Sequence, residues 1–361
     1  MNQPLSFRGT PGLTYELAIR RYGTPGARPK AYIQAGLHAD EVPGMLTALR
    51  LCDRLAALDA AGEIAGEVVV LPACNPIALS QRVLAVSVGR FDLLDGQNFN
   101  RGYPALRPDV PGLSGDAEAN TALVRAALQH AHAAGTPATP AQHLKDTLLG
   151  LALDADVVLD LHTDGEAAMH LYTLTPAAET GRVLAGFLGA QALLLAEESG
   201  DDPFDEACSR PWLVLHQQNP SVPLACFAAT VELRGQADVT AAYADADADA
   251  LVSFLRWRGV LAGPAPTPPR GCEPTPLAGT EPLEAPIAGI IVYRRDVGDH
   301  VQPGDVVADI MDPVTGETAE VRAQSAGLFF ARNVARFATA GRRIGKIAGS
   351  SLARQGRLLS P

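Results

Sequence analysis

The sequence predicts an α/β fold, a mostly parallel mixed sheet flanked by helices, followed by a small all-β module. Three observations carry this expectation. Short apolar runs bounded by turn formers recur at 31–36 (AYIQAG), 67–73 (EVVVLPA), 154–163 (DADVVLDLHT) and 223–233 (PLACFAATVEL), as expected of strands buried on both faces. Helical periodicity fills the intervals, as in VPGMLTALRLCDRLAAL and the stretch from Asp116 to Ala134. Near the end the pattern changes to short β-type runs, GIIVYRRDV, VVADIM, AEVRA and GLFFARNV, separated by glycine-containing turns. Strands alternating with helices favour a parallel sheet, and such sheets bind ligands beyond the carboxyl ends of their strands.

The 361 residues suggest two units, and 47% apolar with 19% charged residues is the composition of a chain that folds. Between the units, 262–286 (AGPAPTPPRGCEPTPLAGTEPLEAP) is dense in proline and glycine and reads as an extended connector. The expected division is thus a catalytic domain over 1–261, the connector, and a β module over 287–361. ADADADA at 244–250 reads as the polar face and acidic first turn of a helix, because alternate aspartates on a helix do not converge on one ion.

Composition excludes several functions. A net charge of −11 argues against nucleic acid or an anionic membrane as partner. No run of eighteen apolar residues appears, and MNQPLSFRGTPG has neither a basic nor an apolar leader region, so the expected location is cytoplasmic. Cysteines stand singly at 52, 74, 208, 226 and 272, which fits reduced thiols and makes cysteine an unfavoured metal ligand.

The candidate chemistry lies at strand ends. In GLHADE, His38 and Glu41 stand three residues apart in the loop leaving the first core strand, where both can reach one ion. Zinc accepts imidazole nitrogen and carboxylate oxygen, and a catalytic site uses three protein ligands with one position left for water. His162, closing the run before Thr163, is the candidate third ligand, with Asp160 as a candidate partner behind it; its alternative is an ordinary core or loop histidine. Hydrolysis also needs a base, and Glu232 in ATVELRG ends a buried run, where a carboxylate is costly unless paired or functional. In NFNRGYP, Asn100 and Arg101 suit a clamp for a substrate carboxylate, and Arg90 suits a developing oxyanion. The arginines can equally serve to fasten this long loop.

Together GLHADE, NFNRGYP, DLHT and VELRG resemble the succinylglutamate desuccinylase and aspartoacylase family, related to the zinc metallocarboxypeptidases, in order and broad spacing from Ala31 to Leu261. NFNR differs from the more usual DLNR at Asn98 and Phe99. The resemblance implies one Zn2+ per chain on His38, Glu41 and His162, with Glu232 as the catalytic glutamate. It further implies that Asn100 and Arg101 hold the substrate carboxylate and that Arg90 is near the carbonyl-polarising arginine. The implied substrate is a small N-acylated amino acid or related amine. A zinc carboxypeptidase acting on short peptides is the first alternative, and a non-catalytic binding protein the second. Self-association is compatible with either.

The tail resembles the barrel-sandwich of lipoyl and biotinyl domains, with a rough repeat of APIAG in AQSAG, yet the hairpin 309–316 (DIMDPVTG) holds no lysine to modify. A swinging-arm role is therefore disfavoured. The module is expected to pack near the site mouth or to support assembly.

Overall fold

The computed structural model describes residues 4–349 and 354–359. An eight-stranded sheet forms the centre, in the order Pro274–Pro276, Ala192–Ala196, His170–Leu174, Phe227–Gly235, Val157–Asp164, Lys30–Ala35, Glu67–Leu71, Arg20–Gly23. Neighbours run antiparallel at Arg20–Gly23 with Glu67–Leu71 and at His170–Leu174 with Phe227–Gly235, and parallel elsewhere. The sheet is mixed and mostly parallel, as the apolar runs predict. Every residue of Lys30–Ala35 and Glu67–Leu71 is buried, because helices cover both faces.

Period-2 alternation divides the strands between two cores. Ile33, Val70, Leu159 and Val231 face the helices Val42–Ala60, Ala178–Leu188 and Ala241–Trp257. Tyr32, Val69, Val158 and Ala228 face Ala117–Ala133, Pro140–Ala152 and Phe204–Gln218. On Val42–Ala60 the buried Ala48, Leu51, Cys52 and Leu55 form one stripe at helical spacing. Ala117–Ala133 starts where its sequence says: Asp116 accepts from the amides of Glu118 and Ala119.

Two expectations needed revision. The connector is extended, but its second half is packed: Pro274–Pro276 adds an edge strand to the main sheet, and Glu281–Glu284 pairs with Arg343–Gly349 of the β module. Proline tolerates an edge strand, which lacks a neighbour on one side, so proline density did not exclude pairing. The aspartates of 244–250 lie inside the helix Ala241–Trp257 but beyond its first turn, which Thr240 caps. Asp245 and Asp249 pair with Arg54, and Asp247 with Arg234, so these charges fasten neighbouring elements.

The terminal module is all-β, closed around Leu283, Ile291, Val307, Ile310, Phe329 and Ile347. It docks on the main unit. Its strand Gly327–Arg332 pairs with Glu166–Ala167, Arg332 and Arg336 grip Glu166, and the Lys346 ammonium pairs with Asp164. All five cysteines are free thiols, and among the described residues no helix is long and apolar enough to cross a membrane. The first three residues of the opening stretch lie outside those described.

Candidate metal centre and catalytic cavity

The strand Lys30–Ala35 ends at Gly36, whose φ of 71° favours glycine. The chain then turns, bringing His38 inward, and reaches Glu41 at the N-cap of Val42–Ala60. Glu41 makes no side-chain cap hydrogen bond. Its carboxylate is turned to the histidines instead: Oε1 lies 2.9 Å from His38 Nδ1 and Oε2 lies 2.7 Å from His162 Nδ1. His162 arrives from the strand Val157–Asp164 and stands in register with Glu232 on the neighbouring strand. Parallel pairing thus sets two candidate residues side by side on one face.

Ligating atoms of His38, Glu41 and His162 lie within 4.8 Å of one another, and all three residues are at most 3% exposed. Hydrogen bonding fixes which atoms converge. Asn98 Oδ1 accepts from the Asn100 amide, so its contact with His38 Nε2 at 2.9 Å makes that nitrogen the donor. His38 Nδ1 then carries a lone pair, and it faces a carboxylate oxygen. At His162, Nε2 lies 2.9 Å from Asp160 Oδ2, while Nδ1 faces Glu41. Glu41 already receives Arg90 Nη2 at 3.0 Å and the Thr163 amide at 3.0 Å. Lone pairs meeting on a carboxylate are repulsive unless a cation lies among them, and this donor set fits a divalent metal.

The pKa shifts show that a positive charge is favoured between His162 and Glu41. Burial lowers the His162 pKa, but the Asp160 and Glu41 carboxylates outweigh it and hold the group well above its usual value. Burial also opposes charge on Glu41, which the two imidazoles nevertheless keep well below the usual carboxylate range. His38 is lowered, first by burial and then by Arg90. Behind the ring of His162, Asp160 Oδ1 accepts from Gln34 at 3.0 Å, and Gln34 Oε1 accepts from Tyr32 at 2.8 Å. This buried chain orients the histidine.

Glu232 lines the same cavity, with Oε2 lacking a partner among the described residues. Burial, then the Glu41 charge, pushes its pKa up to about 8. Arg90 reaches the site because Gly89 packs against Asp40 at a distance that a Cβ would violate, and its guanidinium rests on Glu41. Arg101 also lines the cavity, its Nη1 donating to the Asn100 carbonyl at 2.7 Å. Asn100 lines the cavity beside it. Its Oδ1 accepts from the Phe204 amide, and its Nδ2 lies 3.3 Å from His162 Nε2, so it sets the helix Phe204–Gln218 beside the histidine.

The cavity measures about 550 Å³, within the range of small-molecule sites. One wall comes from the terminal module, through Asn333, Arg342, Arg343 and Lys346. Of the two roles expected for the module, the structure places it at the site mouth. Sequence reading missed this wall, although RRIGK is a visible cationic cluster. It also missed Gln34, a lone amide in an apolar strand, and the purpose of Asn98.

A family model described as the succinylglutamate desuccinylase/aspartoacylase catalytic domain matches residues 27–258. No curated protein matches the chain. Among solved structures, a succinylglutamate desuccinylase/aspartoacylase family protein from Shewanella amazonensis superposes with a TM-score of 0.83 at 25% identity, covering 96% of this chain and 98% of that one. An aspartoacylase family protein from Mesorhizobium loti gives a TM-score of 0.64 at 19% identity, covering 97% and 94%. The product-bound ectoine utilization protein EutE (DoeB) from Ruegeria pomeroyi gives 0.69 at 17%, with coverage of 97% and 94%. The last two show likeness of fold.

Proposed function

The chain belongs to the succinylglutamate desuccinylase/aspartoacylase family, a family of deacylase-type hydrolases, and we propose that it is a zinc-dependent amidohydrolase acting on a small N-acylated amino acid or related amine. The observation that carries this reading is the convergence of His38 Nδ1 and His162 Nδ1 on the Glu41 carboxylate beside Glu232. Two imidazoles and a carboxylate are a ligand set that zinc accepts while keeping a position open. Bound there, zinc supplies a Lewis acid for the scissile carbonyl and lowers the pKa of a water to about 7.

This chain's residues perform the remaining tasks. Glu232 takes a proton from the attacking water and returns it to the leaving nitrogen, its buried Oε2 being unpartnered among the described residues. Arg90 offers its guanidinium to the oxygen on which negative charge develops. Arg101 receives the substrate carboxylate through parallel hydrogen bonds, with Asn100 beside it to add a donor, its Oδ1 held by the Phe204 amide. The products are a carboxylate and an amine.

A cavity of about 550 Å³ walled by the β module suits a small molecule. Family membership favours deacylation over carboxypeptidase action on short peptides, which would share the same catalytic set. We place the activity in the cytoplasm, in keeping with five free thiols. Incubating the zinc-loaded protein with N-acetyl and N-succinyl amino acids beside dipeptides, and measuring released amine, tests the reading. Turnover of the N-acyl amino acids is expected; turnover confined to peptides would overturn it.

A further inference from the structure

The floor of the catalytic cavity changes character along the sheet. Strand register places His162, Glu232 and His170 in one row and Asp160, Thr230, Tyr172 and Leu194 in the next, all on one face. From Asp160 toward the sheet edge, the second row passes from acid through hydroxyl to leucine. Two residues beyond Tyr172, Leu174 pairs with Ala196 and shares that face. Leu174, Leu194 and Ala196 line the cavity, together with Leu277 from the connector and Leu359 from the segment 354–359. Leu277 opens the short turn Leu277–Gly279 that follows the edge strand. Leu359 is brought in by its neighbours: the Leu358 amide donates to the Ser199 carbonyl at 2.8 Å, and Arg357 Nε lies 2.8 Å from Asp201 Oδ1. Leu194 and Leu277 are at most 3% exposed, whereas Ala196 and Leu359 are half-buried and supply open surface. These side chains carry no donor, acceptor or charge, so a polar group buried against them goes unpaired at a cost. The strand of Leu194 stands two strand spacings from that of Glu232, about 10 Å away.

We propose that this end of the cavity is an apolar subsite, floored by Leu174, Leu194 and Ala196 and closed by Leu277 and Leu359, for a short alkyl chain carried by the substrate. The inference rests on the deacylase reading above and narrows its substrate to N-acyl amino acids with an aliphatic chain on one half. Polar chemistry is completed at the metal end, and the chain lies along the floor toward the sheet edge. Each methylene moved from water onto this lining adds about fourfold in affinity. An acetyl group held at the metal end does not span the two strands, and it leaves the leucines in contact with water.

The test uses the full-length, zinc-loaded protein. N-hexanoylglycine and N-acetylnorleucine each add four carbons to N-acetylglycine, the first on the acyl half and the second on the amine half. One of the two is expected to exceed N-acetylglycine in kcat/KM by about thirtyfold, and which one does so identifies the half that carries the chain. Ala196→Leu, which fills the floor, should bring that ratio to roughly threefold or less. Calorimetry gives a readout separate from turnover: hexanoate should bind wild-type protein at least about tenfold more tightly than acetate, or norleucine than glycine, with a negative heat-capacity change. Should Ala196→Leu misfold by circular dichroism, this wild-type comparison decides. Values of kcat/KM for both longer substrates no higher than for N-acetylglycine, or a preference that survives in folded Ala196→Leu, would overturn the subsite. Turnover of dipeptides without any N-acyl amino acid would overturn the deacylase reading instead, and calorimetry would then judge the subsite alone.

Discussion

At the metal end of the cavity, His38 and Glu41 come from the loop that leaves one central strand and His162 from the end of another; all are at most 3% exposed and held by buried partners. Elsewhere in the lining, Arg342, Arg343 and Lys346 come from a module that follows the catalytic chain, and Asp205 comes from the start of a helix. The first region is preorganised by a sheet whose register cannot slip without exposing its core. The second depends on how separate elements dock. Chemistry therefore resides where the fold is most constrained, and substrate choice where insertions and appendages can vary it.

Substitutions sharpen this contrast, beginning with the ligands. His162→Ala should remove a metal donor and its buried charge network together, so zinc content falls far below one per chain and turnover falls on the order of 10³-fold or more. Metal analysis beside an amine-release assay checks both. Glu232→Gln keeps shape but removes the proton carrier; zinc should remain stoichiometric while kcat drops by about a hundredfold or more. Retained kcat would remove Glu232 from the mechanism.

Asn98→Ala tests the orienting partners. Without its acceptor, His38 Nε2–H loses the bond that fixes Nδ1 toward the metal, and zinc affinity should weaken by about ten- to a hundredfold in competition with a chelator.

Lys346→Met tests the wall. Burial disfavours charge on Asp164, but the Lys346 ammonium reverses this and brings the pKa to about 2. A carboxylate depressed in the folded state stabilises the protein above its unfolded pKa, and that contribution fades as pH falls from about 4 through 2. Wild type should thus exceed Lys346→Met by about 2 kcal/mol at pH 7, with the gap closing below pH 4, in urea unfolding across a pH series. A gap independent of pH would show that the ion pair does not hold the module in place.

The sequence made the sheet legible because buried strands are local apolar runs, and it made His38, Glu41, His162 and Glu232 visible because polar residues at the ends of such runs are conspicuous. It hid what long-range packing creates. Asn98 is two residues from Asn100 in sequence, yet its task emerges only when the 89–103 loop closes over His38. Asn100 suits a substrate donor by its type and neighbour, and nothing local reveals that the Phe204 amide also claims its side-chain carbonyl. Asp205 and Lys346 carry no pattern that joins them to His162 across more than 40 and more than 180 residues of chain. The proline-rich connector misled for a related reason, since pairing at a sheet edge depends on the neighbour and not on the segment's own composition.

The central claim is that His38, Glu41 and His162 hold the metal on which amide cleavage depends. Stripping the protein with a chelator, titrating zinc back and following amine release from an N-acyl amino acid tests it most directly. Activity should vanish on stripping and return in full at one zinc per chain, with His38→Ala recovering neither zinc nor activity. Turnover indifferent to stripping, or zinc bound by His38→Ala as tightly as by wild type, would contradict it.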